Sequence, residues 1–286
     1  MMTTIFSALS DGALYAIAGI VLTVPLVRCG IVNFAQAFYI VLGEYLVVQL
    51  TGDGWAVVPM LVVLLALGAV LGALQEVLTV RPTRGRHDTT LVTTVGMGIA
   101  VEGFILAKWG PNPESVSFFG GSNSVHILGG VLQPFDLWLI GLAIVSALVF
   151  EYAVRRTRWG VLGRAAMTDQ VASMLRGVNI PWLRTTAFAL AGALSCALSL
   201  FVAPKTGVTV DNTLHLVVFS FAAAAIGGFG SFTGTAVGGF IIGFVEAFSS
   251  RYLNVDWVAI LVFAILCSVL VVRPRGLFGP RRLRLV

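Results

Sequence analysis

The sequence predicts an all-α, polytopic integral membrane protein of about eight or nine transmembrane helices, some of them short or broken. Three observations lead there. Of the 286 residues, 58% are hydrophobic and only 11% are charged, against about 25% charged in soluble domains. The apolar residues fall into nine runs that leave no room for a soluble domain of ordinary size, so residues 1–286 read as a single transmembrane domain. The 18 Lys and Arg residues divide 15 to 3 between alternate connections.

Backbone groups in hydrocarbon must be satisfied within the segment, so each run is expected to be a helix. In chain order the runs are 5–27, 34–50, 55–80, 89–109, 135–154, 185–203, 214–228, 234–249 and 257–272. A crossing takes about 20 residues. Runs 34–50, 214–228 and 234–249 fall short of that and are candidates for re-entrant or broken helices. No Lys or Arg precedes Arg28. The first run therefore lacks the basic start of a signal peptide and is expected to stay as a span.

The larger cation group comprises Arg28, then Arg81, Arg84 and Arg86, then six arginines within 155–184, then Arg273, Arg275, Arg281, Arg282 and Arg284. The smaller comprises Lys108, Lys205 and Arg251. The positive-inside rule makes the arginine-rich face cytoplasmic, with the N-terminus outside and the C-terminus inside. The net charge of +5 follows from this asymmetry, and no nucleic-acid partner is needed to account for it. The external loop 110–134, rich in Gly, Ser, Asn and Pro, reads as either a short lid or a linker.

Glycines cluster at four-residue spacing, as in Gly68/Gly72 and Gly230/Gly234/Gly238, the pattern that lets membrane helices approach closely. Two stretches look like helix breaks. One is 28–37, with Asn33, Phe34 and Gln36; the other is 226–234, with Ser231 and Thr233. Each is followed by an intramembrane acid, Glu44 or Glu246. Interrupted helices of this kind line transport paths, but two tight helical hairpins explain the pattern equally well. Buried acids are costly and face a bundle interior, so Glu44 and Glu246 are the acids best placed to line a path. Glu76, close to Arg81, reads as an interfacial partner, and a structural role is the stronger expectation for any single acid.

The polar segment 155–184 carries six arginines against one acid, Asp169. Within it, 163–178 has helical periodicity: Met167, Val171, Met174, Leu175 and Val178 form an apolar stripe, with Gly177 and Pro181 as stop signals. Such a helix suits a groove in a soluble partner or the surface of anionic membrane lipid. Cys29, Cys196 and Cys267 lie in or beside apolar runs, and His87, His126 and His215 are scattered, so no metal, cofactor or catalytic constellation is expected.

The run Gly30-Ile31-Val32-Asn33-Phe34-Ala35-Gln36-Ala37, continuing to Leu42-Gly43-Glu44-Tyr45, resembles the smaller permease type of bacterial branched-chain amino acid ABC importers. So do Arg81-Pro82 with Arg84-Gly85-Arg86, Gly227-Gly228-Phe229-Gly230-Ser231, and Arg273-Pro274-Arg275-Gly276-Leu277-Phe278-Gly279. Gly163, Arg164, Asp169, Ala172, Arg176 and Gly177 resemble its ATPase-coupling segment. Where the family commonly has His-Gly after Asn-Phe-Ala, this chain has Gln36-Ala37, which leaves urea or amides as alternative solutes.

The resemblance implies a bacterial inner-membrane permease subunit that is not itself an enzyme. Its partners would be cytoplasmic ATP-binding subunits, a second permease subunit (a paralogue) and an extracytoplasmic solute-binding protein. Asn33, Phe34, Gln36, Glu44, Ser231, Thr233 and Glu246 would line the solute path. A phosphate-binding loop ends in Gly-Lys-Ser/Thr; the one Lys-Ser/Thr pair here, Lys205-Thr206, follows Pro204. Energy would therefore arrive through a cytoplasmic contact. The alternative is a self-sufficient secondary transporter or channel using its buried acids.

Overall fold

The computed structural model describes residues 1–83, 87–117, 125–127 and 130–279. Arg84, Gly85, Arg86, Arg281, Arg282, Arg284 and part of the 110–134 loop lie outside the described residues. The apolar runs form helices α1 (Met2–Cys29), α2 (Ala35–Gly52), α3 (Val57–Gln75), α4 (His87–Trp109) and α5 (Pro134–Arg156). After two short helices, α6 (Arg158–Thr168) and α7 (Gln170–Leu175), come α8 (Ile180–Thr206), α9 (Asn212–Gly227), α10 (Phe232–Tyr252) and α11 (Asp256–Val272). Among the described residues, six helical stretches are long and apolar enough to cross a membrane, and α9 and α11 are shorter apolar helices. The protein is a multi-pass, all-α membrane protein. Its one sheet among the described residues is a small antiparallel pair in the 110–134 loop, β1 (Val125–Ile127) and β2 (Gly130–Leu132).

The chain divides into two compact units. One comprises Met1–Thr23, Ser124–Ala153 and Val218–Val286; the other comprises Val24–Asn123 and Val154–Val217. In the first, α1 packs antiparallel to α10: Gly243 faces Gly12, Gly239 faces Ala16, and Gly19 faces Thr235. The end of α9 lies antiparallel to the start of α10, Gly227 against Gly234 and Ala223 against Gly238. The stretch 226–234 is thus a tight helical hairpin, one of the two expectations for it. The C-terminal residues pair with this turn, Leu277 N–H donating to Ile226 O at 2.8 Å and Phe278 N–H to Gly227 O at 2.9 Å.

In the second unit α8 is central. It runs antiparallel to α3, where Gly68 and Gly72 let the helix backbones close on Gly192 and Phe188. It runs parallel to α2, where Cys196 Sγ donates to Tyr39 O at 3.3 Å and Ser199 packs on Gly43. Helix α3 does not end as a plain α-helix. It widens through a π turn, Glu76–Val80, and then tightens in a 3-10 turn, Arg81–Thr83. There the buried Glu76 Oε2 accepts from Arg81 Nη2 at 2.9 Å and from Thr185 Oγ1 at 2.7 Å. The interfacial Glu76–Arg81 pairing expected from sequence is present.

Two expectations need correction. The helix read over 163–178 is two helices. Asp169 takes an extended backbone, φ −148°, and its Oδ1 accepts from Ala172 N–H at 2.9 Å, which caps α7 and breaks the run. Pro181 starts the next helix and does not stop this one. Asn179 Oδ1 accepts from Trp182 N–H at 3.0 Å, and proline occupies the first turn, where its missing N–H costs nothing. Gly177, at φ +83°, does follow the end of α7 as expected.

Candidate functional site: path residues and the polar segment

The seven path candidates fall into three groups. Asn33, Phe34 and Gln36 surround the start of α2. The chain turns there because Gly30 adopts φ +70°, a conformation open to glycine. Asn33 is fully buried and its amide makes three hydrogen bonds. It donates to Gln75 Oε1 at 2.9 Å, while its Oδ1 accepts from Gln75 Nε2 at 2.7 Å and from Ala35 N–H at 3.1 Å. Tyr39 OH adds a bond to Gln75 Oε1 at 2.9 Å. Phe34 is half-buried at the helix start. Gln36 is buried; its Oε1 accepts a long 3.5 Å bond from Ser195, and its Nε2 has no protein partner.

Glu44 lies eight residues beyond Gln36, about 12 Å along α2. It is 1% exposed, and its Oε2 has no hydrogen-bond partner; the hydroxyl of neighbouring Tyr45 is likewise buried and unpaired. An unmatched carboxyl at such depth is costly to keep.

Ser231 and Thr233 sit at the start of α10. Ser231 Oγ caps the helix, accepting from Gly234 N–H at 3.0 Å. The next two donors are taken by α5: Phe232 N–H and Thr233 N–H reach Glu151 Oε2 at 3.0 and 3.3 Å. A carboxylate thus occupies the positive end of the helix. Glu246 lies 13 residues beyond Thr233, about 20 Å along the same helix. It lines a cavity of about 440 Å³ with Thr3, Thr4, Ser7, Asp11 and Arg251. The structure therefore does not bring Ser231 and Thr233 together with Glu246.

Sequence reasoning missed Gln75 and Glu151. Gln75 is a polar residue at the end of an apolar run, and Glu151 lies within one. Each is the kind of intramembrane polar residue that needs a partner, and that was the available signal.

The polar segment is assembled differently. Thr157 caps α6, and Gly160 closes on the Val154 backbone. Gly163 is buried against Arg28, while Arg164, Asp169, Arg176 and Gly177 are exposed and Ala172 is half-buried. Met167, Val171, Met174 and Leu175 stand exposed, Leu175 at 85% and Val171 at 63%. Four of the five stripe residues are thus exposed on two short helices, while Val178 lies beyond α7 and is half-buried. Among the described residues no group of three or more His, Cys, Asp or Glu side chains could hold a metal.

The family described as "Branched-chain amino acid transport system / permease component" matches residues 4–270. The chain belongs to this family. Among curated relatives, the high-affinity branched-chain amino acid transport system permease protein LivH of Escherichia coli (strain K12) is 26% identical over 297 residues, covering 96% of this chain and 94% of that protein. Its counterpart BraD of Pseudomonas aeruginosa is 23% identical over 290 residues, with the same coverage. A ribose import permease protein, RbsC of Escherichia coli (strain K12), is 25% identical over 197 residues, 64% of this chain and 58% of the relative. No solved structure matches the chain. As a member of this family the protein is a transport permease.

Proposed function

We propose that this chain is the permease subunit of an ATP-driven importer of amino acids, most simply branched-chain ones, in a bacterial inner membrane. It works beside a second, paralogous permease subunit, with ATP-binding subunits on the cytoplasmic side and a solute-binding protein outside. The observation that carries this reading is the near full-length similarity to permeases named for branched-chain amino acid transport. The arginine-rich face is cytoplasmic, so the N-terminus is outside. The ATP-binding subunits dock on α6–α7 through Arg164, Asp169, Ala172, Arg176 and the exposed stripe from Met167 to Leu175. A capped helix of six residues, α7, gives a compact knob for a protein groove and little area to lay on lipid. Along α2, Gln36 and Glu44 are the path residues with polar atoms still unmatched by the protein.

Affinity purification from native membranes in mild detergent tests the assignment. Co-purification of a subunit bearing a phosphate-binding loop and of a second permease is expected. A lone chain that transports solute on an ion gradient would overturn it. Uptake by the intact complex, measured for leucine, urea and small amides, decides the solute class. On the docking surface, Asp169→Lys replaces the cap of α7 with a cation. Uptake is expected to fall by about ten-fold or more while the chain still inserts. Normal uptake would remove α7 from the docking surface.

A further inference from the structure

Helix α6 is tied to the connection between α1 and α2 at two points, and neither tie is explained by docking of a partner. The first is Arg28, in the last turn of α1. It is 5% exposed, yet its guanidinium carbon lies 3.7 Å above the centre of the Trp159 ring in α6. Its Nη2 makes a long 3.4 Å bond to Trp159 O, and its Nη1 has no hydrogen-bond partner. Gly163, one turn after Trp159, lies against the stem of Arg28 without a side chain of its own: an added Cβ would stand 3.5 Å from Arg28 Cα and Cγ. Trp159 in turn meets Trp182 edge-on, with ring centres 5.9 Å apart, in the first turn of α8.

The second tie is Gly30. The space its side chain would fill is taken by Met167 of α6, with Sδ 3.0 Å from the Cβ position. Three residues further on, Asn33 is locked to Gln75 and, through it, to Tyr39. A continuous chain of contacts therefore runs from α6, through Arg28 and Gly30, to Asn33, α3 and α2.

We propose that the Arg28–Trp159 stack is the joint that carries a displacement of α6 into the α1–α2 connection, making Arg28 and Trp159 positioning residues for energy coupling. This rests on the reading of α6–α7 as the ATPase contact. The choice of ring over carboxylate suits a moving part. A fork of directed hydrogen bonds to a carboxylate fixes one geometry, whereas a cation keeps its attraction to a ring face out to about 6 Å from the centroid. The stack can therefore shift by about 2 Å without releasing. The bare surface of Gly163 lets the arginine stem slide, and the thioether of Met167, a flexible and adaptable side chain, follows Gly30.

The test uses the complete importer, permease pair with ATP-binding subunits, reconstituted in vesicles with its solute-binding protein. Uptake and ATP hydrolysis are measured together for Arg28→Met, Trp159→Leu, the double variant and Trp159→Phe. The two single variants are expected to keep the ATP-binding subunits bound and hydrolysing. Solute moved per ATP should fall by about ten-fold. Trp159→Phe, which keeps a ring face, should stay within about two-fold of the parent. The double variant should be no worse than either single one, because both remove the same contact.

Uptake and hydrolysis falling in proportion would overturn the joint, as would unchanged solute per ATP, or losses that add in the double variant. If Arg28→Met alone fails to insert, the comparison of Trp159→Leu with Trp159→Phe decides by the same ratio. If no ATP-binding subunit accompanies the parent chain, the functional reading itself fails. That outcome is distinct from a bound, hydrolysing complex in which the variants behave normally.

Discussion

The two helix connections at 30–34 and 228–231 look alike in sequence but are secured by different physics. The first is held by side chains: the paired amides of Asn33 and Gln75, the Tyr39 hydroxyl and the Arg28–Trp159 stack. The second is held by backbone. Gly227 lies against Gly234, Gly228 against Gly276 and Gly279, and two peptide bonds of the C-terminal stretch donate to Ile226 and Gly227. Side-chain contacts can shift and re-form within a rotamer change. Backbone closed on backbone has no such reserve, because packed interiors tolerate little change in volume. The chain thus has one connection closed by backbone and one held by side chains.

The sharpest way to break the contrast is at Gly228. It adopts φ +106°, and a Cβ there would lie 2.4 Å from Gly279 N, with backbone on every near side. Gly228→Val combines a forbidden conformation with a clash that no rotamer relieves. Loss of folded protein is expected, read as absence of a monodisperse peak after detergent extraction. A variant that extracts normally would show that this turn yields too.

Asn33→Leu should be milder. It leaves the buried amide of Gln75 without its partner, at a cost of about 1–3 kcal/mol. Pairing it with Gln75→Leu should recover part of the loss, since removing both partners is close to neutral. Denaturant midpoints of the single and double variants measure this, and additive losses would show that the amides do not act as a pair.

Glu151→Ala should be smallest. It removes a carboxylate from the start of α10, while Ser231 still caps Gly234. A charge at a helix end contributes about 0.3–1 kcal/mol when exposed and up to about 2 when partly buried. A shift in unfolding midpoint larger than that of Asn33→Leu would invert the proposed ranking of the two connections.

Much of this fold was legible in the sequence because membrane hydrophobicity is a long, redundant signal. All nine apolar runs appear as helices, and the four-residue glycine spacing marks the places where helices close on one another. The break in the polar segment was harder to see. The 3.6-residue stripe from Met167 to Val178 is continuous in sequence, and only Asp169 disturbs it. The capping side chain is one residue, whereas the stripe is five, so periodicity outvotes it. The candidate site was less legible still. Asn33 and Ser231 are path candidates because they are polar at helix breaks, and in the fold the side chains of both also hold those breaks. Gln75 and Glu151, which complete the arrangements, lie more than forty residues away from Asn33 and more than eighty from Phe232 and Thr233 in some of these pairs. Only the folded chain brings them into range.

The π turn at Glu76–Val80 gives α3 a residue of slack. Gln75, just before it, looks toward Asn33 and Tyr39, while Glu76, the first residue within it, looks toward Thr185 and Arg81. Removing one residue would restore the ordinary α-helical repeat and swing everything beyond by about 100°. Arg81 would leave Glu76, while Gln75 kept its place. The extra residue of the π turn thus sets the rotation of the helix end, and the contacts of the buried Glu76 carboxylate with Thr185 and Arg81 depend on it.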